Sequence, residues 1–203
     1  MTFLRLQGCN LRCPFCDTPD ALEGTSSPGA GETLTVSKVF DRLYEYSRYR
    51  VVCVTGGEPL LQLYALHQLT DRLHAQGFTI HLETNGSITL TDGDAHQFDW
   101  ITVSPKGPRW TFAIPPEHVK EVKLVVPSEK VWRAESEQRY PTYVSLNLIN
   151  ELFTMLGSKT FVWFQPESNG PEAIKFAMQL VRDYHDQLRV GLSLQIHKLI
   201  GVR

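Results

Sequence analysis

Cys9-Asn-Leu-Arg-Cys13-Pro-Phe-Cys16 gathers three of the chain's 4 cysteines in one short loop, with the spacing C-x3-C-x2-C. A disulfide framework would spread its cysteines along the chain. Clustered thiols in a reducing compartment point instead to metal binding or redox chemistry. Thiolates are the usual protein ligands of iron–sulfur clusters, and spacing this close lets one loop wrap a cluster without help from the rest of the fold. Three thiolates leave one iron of a 4Fe–4S cubane open, much as an open position marks a catalytic zinc site. The same cysteines would also suit a zinc site completed by a histidine. A zinc deaminase is excluded, because its H-x-E precedes P-C-x-x-C. Here His81-Leu-Glu83 follows Cys13-Pro-Phe-Cys16, and Arg12 stands where the proline should be. Cys53 sits in the β-branched run Val51-Val-Cys-Val-Thr55 and reads as a small core hydrophobe.

Outward from this loop, strand and helix alternate. Residues 2–7 read as a first strand leading directly into the cysteines, and the Gly-, Ser- and Pro-rich stretch 21–32 as a loop. Apolar residues at Val36, Val39, Phe40, Leu43 and Tyr44 predict a helix over 36–48. Short strands are expected at 51–55, 79–83, 100–103, 122–126 and 160–165, with helices at 145–156 and 171–185 and a partly extended segment at 191–200. Gly56-Gly57-Glu58-Pro59 is a turn from strand to helix, and Leu61, Leu66 and Leu69 are expected on one face of that helix. The pattern predicts an α/β fold with a mostly parallel sheet and too few strand–helix pairs for a full eightfold barrel. No repeat or linker divides residues 1–203, so one domain is expected. Polar or turn residues close further strands at Thr84-Asn85-Gly86, Ser104-Pro105-Lys106 and Gln165-Pro166-Glu167-Ser168. Ligands of parallel α/β folds gather at such carboxyl ends.

The 203 residues are 42% hydrophobic, and 20 basic residues nearly balance 22 acidic ones. That balance speaks against a sequence-independent grip on nucleic acid but leaves room for a small anionic substrate held by one or two arginines. No apolar stretch suits a bilayer span, and the first ten residues, with Arg5 among them, do not form a signal peptide. A cytoplasmic location is the default expectation.

The cysteine loop after the first strand, followed by Gly56-Gly57-Glu58-Pro59, resembles the radical S-adenosylmethionine (SAM) superfamily. The resemblance implies a reduced, open partial TIM barrel. It also implies a 4Fe–4S cluster on Cys9, Cys13 and Cys16, with SAM chelating the open iron. Finer strings resemble the 7-carboxy-7-deazaguanine synthases of queuosine biosynthesis: Phe3-Leu-Arg5-Leu, Gly8-Cys9-Asn10-Leu11, Cys16-Asp17-Thr18, Thr55-Gly-Gly-Glu-Pro59, Ser104-Pro105-Lys106, Gln165-Pro166-Glu167 and Ser193-Leu-Gln195-Ile-His197-Lys198. They run through nearly the whole chain.

This resemblance implies a carbon–nitrogen lyase acting on 6-carboxy-5,6,7,8-tetrahydropterin. Hydrogen is abstracted at C6, the ring contracts, ammonia leaves and SAM is regenerated, with magnesium assisting. By motif match, Thr18 would ligate magnesium. Gly57, Glu58, Ser104, Pro105, Lys106, Gln165, Pro166, Glu167 and Ser168 would meet SAM. Arg5, Thr55, His197 and Arg203 would meet the substrate. A flavodoxin- or ferredoxin-like electron donor and a homodimer are implied; nucleic acid and membrane are not. Family members usually carry a short pterin-recognition segment before the first strand, and this sequence enters its strand at residue 2, so either a segment upstream of Met1 or weak binding of the pterin is expected. Two other readings stay open here: a glycyl-radical activating enzyme with the same cysteine spacing, and a zinc-binding module.

Overall fold

A computed structural model describes residues 1–22, 31–107, 113–136, 143, 145–156, 159–186 and 189–201. Its strands are β1 (Thr2–Leu6), β2 (Val51–Gly56), β3 (Thr79–Thr84), β4 (Trp100–Val103), β5 (Val119–Val126), β6 (Phe161–Pro166) and β7 (Arg189–Leu192). Its α-helices are α1 (Val36–Tyr46), α2 (Leu63–Ala75), α3 (Asp92–Ala95), α4 (Glu129–Ser136), α5 (Leu146–Met155), α6 (Pro171–Tyr184) and α7 (Ile196–Leu199). The strands form one seven-stranded sheet in chain order, and every neighbouring pair is parallel. Among the described residues β7 does not pair with β1, so the barrel is open. No helix of the described residues is long and apolar enough to cross a membrane.

Side chains alternate between the two faces of a strand, and here the faces differ in chemistry. Val52, Val54, Ile80, Leu82, Ile101, Val103, Val122, Leu124, Val162 and Phe164 are buried in the apolar core. On this side α2 packs against β3, and α6 against β5, β6 and β7. Fully burying one such side chain contributes about 1.5–3 kcal/mol. The opposite parity carries Arg5, Thr55, Glu83, Thr102, Lys123 and Gln165. Arg5 stands opposite Thr55 and Glu83 opposite Thr102 in the ladder. One face therefore holds the sheet together, and the other is left for polar groups.

The turn after β2 is fitted to the cysteine loop. A Cβ on Gly56 would lie 2.0 Å from the Leu6 carbonyl oxygen, and one on Gly57 would lie 2.3 Å from that of Gly8. Only glycine permits so close an approach. The Gly57 N–H donates to the Leu6 carbonyl at 3.0 Å, and the Glu58 N–H donates to that of Gly8 at 2.8 Å. The Gly8 N–H in turn donates to the Ala21 carbonyl at 3.0 Å. The Glu58 carboxylate is fully buried. It accepts from the Leu60 N–H at 3.1 Å, the Thr84 hydroxyl at 2.7 Å and the Asn85 N–H at 2.7 Å, tying the end of β2 to the end of β3. Burial pushes its pKa up against the pull of these donors.

Several boundaries differ from those expected of the sequence. The segment after Gly57 opens as a 3-10 turn, Pro59–Gln62, before α2 begins. Its tighter winding takes Leu61 off the apolar stripe, so Leu61 is exposed while Leu66 and Leu69 are buried. Strand β5 starts at Val119, three residues earlier than expected, because the charged Lys120 and Glu121 disguise its start. Helix α4 has no expected counterpart, and the closing segment divides into β7 and α7. Most of the expected 21–32 loop lies outside the described residues.

Replacing Glu58 by Ala removes the acceptor from three donors, each costing about 1–3 kcal/mol when left unsatisfied. Urea unfolding should show a loss of at least ~3 kcal/mol, with a smaller loss for Glu58→Gln, which keeps one acceptor oxygen. A loss below ~1 kcal/mol for Glu58→Ala would contradict this role.

Candidate functional site

The carboxyl ends of the strands enclose a cleft of about 710 Å³. Cys9, Cys13 and Cys16 line one wall with Thr18, and Arg5, Thr55 and Gly57 join them from β1 and β2. Ser104, Lys106, Gln165, Glu167 and Ser168 approach from the later strand ends. Glu58, Pro105 and Pro166 do not line it. The Glu58 side chain is turned inward onto its three donors, and both prolines are buried. His197 falls in α7, but its side chain, like all of Arg203, lies outside the described residues.

All three loop cysteines are free and partly exposed, whereas Cys53 is buried. Burial pushes the Cys53 thiol up to about 12, which leaves it an inert core group. Burial also pushes the Cys13 thiol up, with Lys106 opposing and Cys16 and Cys9 adding to the rise. The ammonium of Lys106 is 2.7 Å from the Ser104 hydroxyl, to which it donates, and 5.6 Å from the centre of the Phe15 ring. It is thus the cation set beside the thiols. Three thiolates presented by one loop are a donor set suited to a 4Fe–4S cluster.

The floor of the cleft carries charges to which the sequence reading gave no role. Glu83 accepts from the Lys123 ammonium at 2.8 Å and from the Thr55 hydroxyl at 3.2 Å. Burial acts to raise its pKa, but Lys123 and Thr55 outweigh it and hold the carboxyl below its ordinary value. Burial likewise opposes the charge on Lys123, yet Glu83 and Glu121 keep its pKa raised. Thr102, next in the ladder, donates to Glu121 at 2.9 Å. The signal was present in the sequence as charged residues at the cleft-facing parity of otherwise apolar strands.

The Cys16-Asp17-Thr18 string meets the terminal string directly. Asp17 accepts from the Gln195 side-chain amide and lies 3.7 Å from the Lys198 ammonium. Gln195 is held in turn by Asn169, through bonds of 2.9 and 3.1 Å to its backbone carbonyl and N–H. Residues 193–198 thus form a strap over the cysteine loop. Thr18 sits between Asp17, to whose carboxylate it donates at 3.2 Å, and the Arg5 guanidinium, from which it accepts at 3.5 Å.

The model of the Radical SAM superfamily matches residues 4–123. The chain is 34% identical to the 7-carboxy-7-deazaguanine synthase of Bordetella pertussis, over 98% of this chain and 88% of that protein. Identity to the synthase of a Synechocystis species is 32%, over 99% and 83%, and to that of Aquifex aeolicus 29%, over 99% and 84%. The chain belongs to the 7-carboxy-7-deazaguanine synthase family. The fold agrees with the crystal structure of QueE from Escherichia coli, with a TM-score of 0.64 at 23% identity over 94% of this chain and 84% of that one. Members of this family are radical SAM lyases, so the zinc module and the glycyl-radical activating enzyme are set aside. Membership also brings SAM and a 4Fe–4S cluster to the site.

For this family member, anaerobic reconstitution of Cys9→Ala, Cys13→Ala or Cys16→Ala should each abolish the cluster absorbance and the bound iron. Cys53→Ala should retain both. Loss of iron from Cys53→Ala with its fold intact by circular dichroism would overturn the ligand assignment.

Proposed function

We propose that this cleft converts 6-carboxy-5,6,7,8-tetrahydropterin to 7-carboxy-7-deazaguanine with loss of ammonia. The observation that carries the reading is the meeting of Cys9, Cys13 and Cys16 with Gly57, Arg5 and Thr18 around one cavity. When bound, the cluster and SAM supply reversible hydrogen-atom abstraction. The protein's own groups bind, orient and shield the substrate.

Gly57 offers close backbone approach for the amino end of SAM. Ser104, Lys106, Gln165, Glu167 and Ser168 form the polar wall along the rest of the cofactor. Arg5 has the planar fork that pairs with a carboxylate, and its guanidinium is already beside Thr18. The Thr18 hydroxyl is a hard oxygen suited to magnesium when waters and the substrate carboxylate complete the shell. Asp17 adds negative charge next to it. Glu83, kept ionised by Lys123, presents an acceptor to ring N–H groups, and Thr55 fixes its orientation. His197, carried on the strap, lies in sequence between two residues whose side chains line the cleft or contact Asp17. The reaction requires an external electron donor. Ile196, Leu199 and Ile200 stand exposed on or next to α7, an apolar patch that would suit a homodimer.

Anaerobic incubation of the reconstituted protein with SAM, dithionite, magnesium and carboxytetrahydropterin should yield 7-carboxy-7-deazaguanine by mass analysis. Absence of that product, with SAM cleavage intact, would reject the substrate assignment. Loss of a charge-assisted pairing is worth about 1.5–3 kcal/mol. Arg5→Ala should therefore raise the KM for pterin about 10–100-fold while leaving SAM affinity in place. Thr18→Ala should shift the magnesium titration to higher concentration at unchanged iron content, and coincident titration curves would remove Thr18 from the metal site.

A further inference from the structure

Away from the cleft, Asp92, His96 and His118 bring three metal-ligating side chains together. None of them lines the cleft. Asp92 and His96 share a face of the α3 turn at the i, i+4 spacing that places two ligands on one metal. His118 directly precedes β5, at the amino end of the sheet. The two connections, β3 to β4 and β4 to β5, are already joined beside this point by the Leu90 N–H donating to the Ala113 carbonyl at 3.0 Å.

We propose that Asp92, His96 and His118 form a second metal site, for a divalent transition ion of the zinc class, that staples these two connections together. Two imidazoles and one carboxylate are a donor set suited to such ions. Asp92 Oδ1 is 2.7 Å from His118 Nε2, and one ligand atom each of Asp92, His96 and His118 all lie within 4.8 Å of one another. Two ligands on one ion at about 2.0–2.1 Å stand about 3.3 Å apart in a tetrahedron. The Asp92–His118 contact would open by only about half an ångström when a metal replaces the shared proton. A proton on His96 Nδ1 donates to the Asp92 carbonyl at 2.7 Å, the kind of outer hydrogen bond that orients a ligating ring and leaves Nε2 its lone pair. The His96 and His118 rings meet edge to face, with centres 4.6 Å apart. His118 is 16% exposed, while Asp92 and His96 are 70% and 65% exposed, so the ion would be anchored from below and open to water above.

The test uses the cluster-loaded protein after removal of loosely held metal by a chelator, titrated anaerobically with Zn²⁺ and, separately, Co²⁺. One equivalent should bind beyond the cluster iron. The Co²⁺ spectrum should show ligand-field bands without thiolate charge transfer. At a hundredfold excess over Kd, zinc should raise the Tm by about 5–10 °C. His96→Ala, on an exposed face, and His118→Asn should each weaken zinc binding at least about 10-fold and remove most of the thermal shift. Binding unchanged in both variants, binding that depends on Cys9, Cys13 and Cys16, or no binding at millimolar zinc would overturn the proposal. The last result would leave the Asp92–His118 contact as a plain hydrogen bond.

Discussion

The backbone seam between Gly56-Gly57-Glu58 and the strand leading into the cysteines is the contact on which the rest of the site depends. Two glycines whose missing side chains would overlap the Leu6 and Gly8 carbonyls bring β2's end hard against the root of the cluster loop. Hydrogen bonds across the seam set the height of that loop above the sheet. The buried Glu58 carboxylate extends the seam sideways to Thr84 and Asn85, and the Asn85 side chain reaches Asn10 inside the cysteine loop at 3.1 Å. A motif read as a cofactor contact is thus also the joint that aligns three strand ends. Its backbone turns toward the cleft while its charged side chain turns into the core.

The division of the sheet into an apolar face and a polar face follows from strand alternation, and much of it was legible in the chain. Val52, Val54, Ile80, Leu82, Ile101 and Val103 announced strands because consecutive β-branched or apolar residues have few other stable placements. The start of β5 was not legible. Glu121 looks like a solvent residue until its partners across the sheet, Thr102 and Trp163, donate to its carboxylate. Non-local pairing of this kind leaves no periodic trace in a single sequence. The 3-10 turn at Pro59–Gln62 escaped for a different reason: Leu61 matches the helical stripe in number but not in angle.

For the cleft, the cysteines, Arg5, Thr18, Thr55 and Gly57 were readable because motif strings place them next to turns at strand ends, where parallel sheets expose their chemistry. Glu83, Lys123 and Asp17 were quoted in strands or strings without a role, since each gains one only from a distant partner. Asp17 joins the loop after β1 to residues 193–198 near the other end of the chain. That contact makes the terminal Ser193–Lys198 string the strap over the Cys16-Asp17-Thr18 string.

The central claim is that the loop presents a cluster with one iron open to SAM beside Gly57. Electron paramagnetic resonance of the dithionite-reduced, reconstituted protein tests it most directly. A reduced 4Fe–4S signal whose g values shift on adding SAM, in wild type and in Cys53→Ala alike, is the predicted result. A signal that SAM leaves unchanged, or a colourless protein whose cysteines hold zinc, would contradict it.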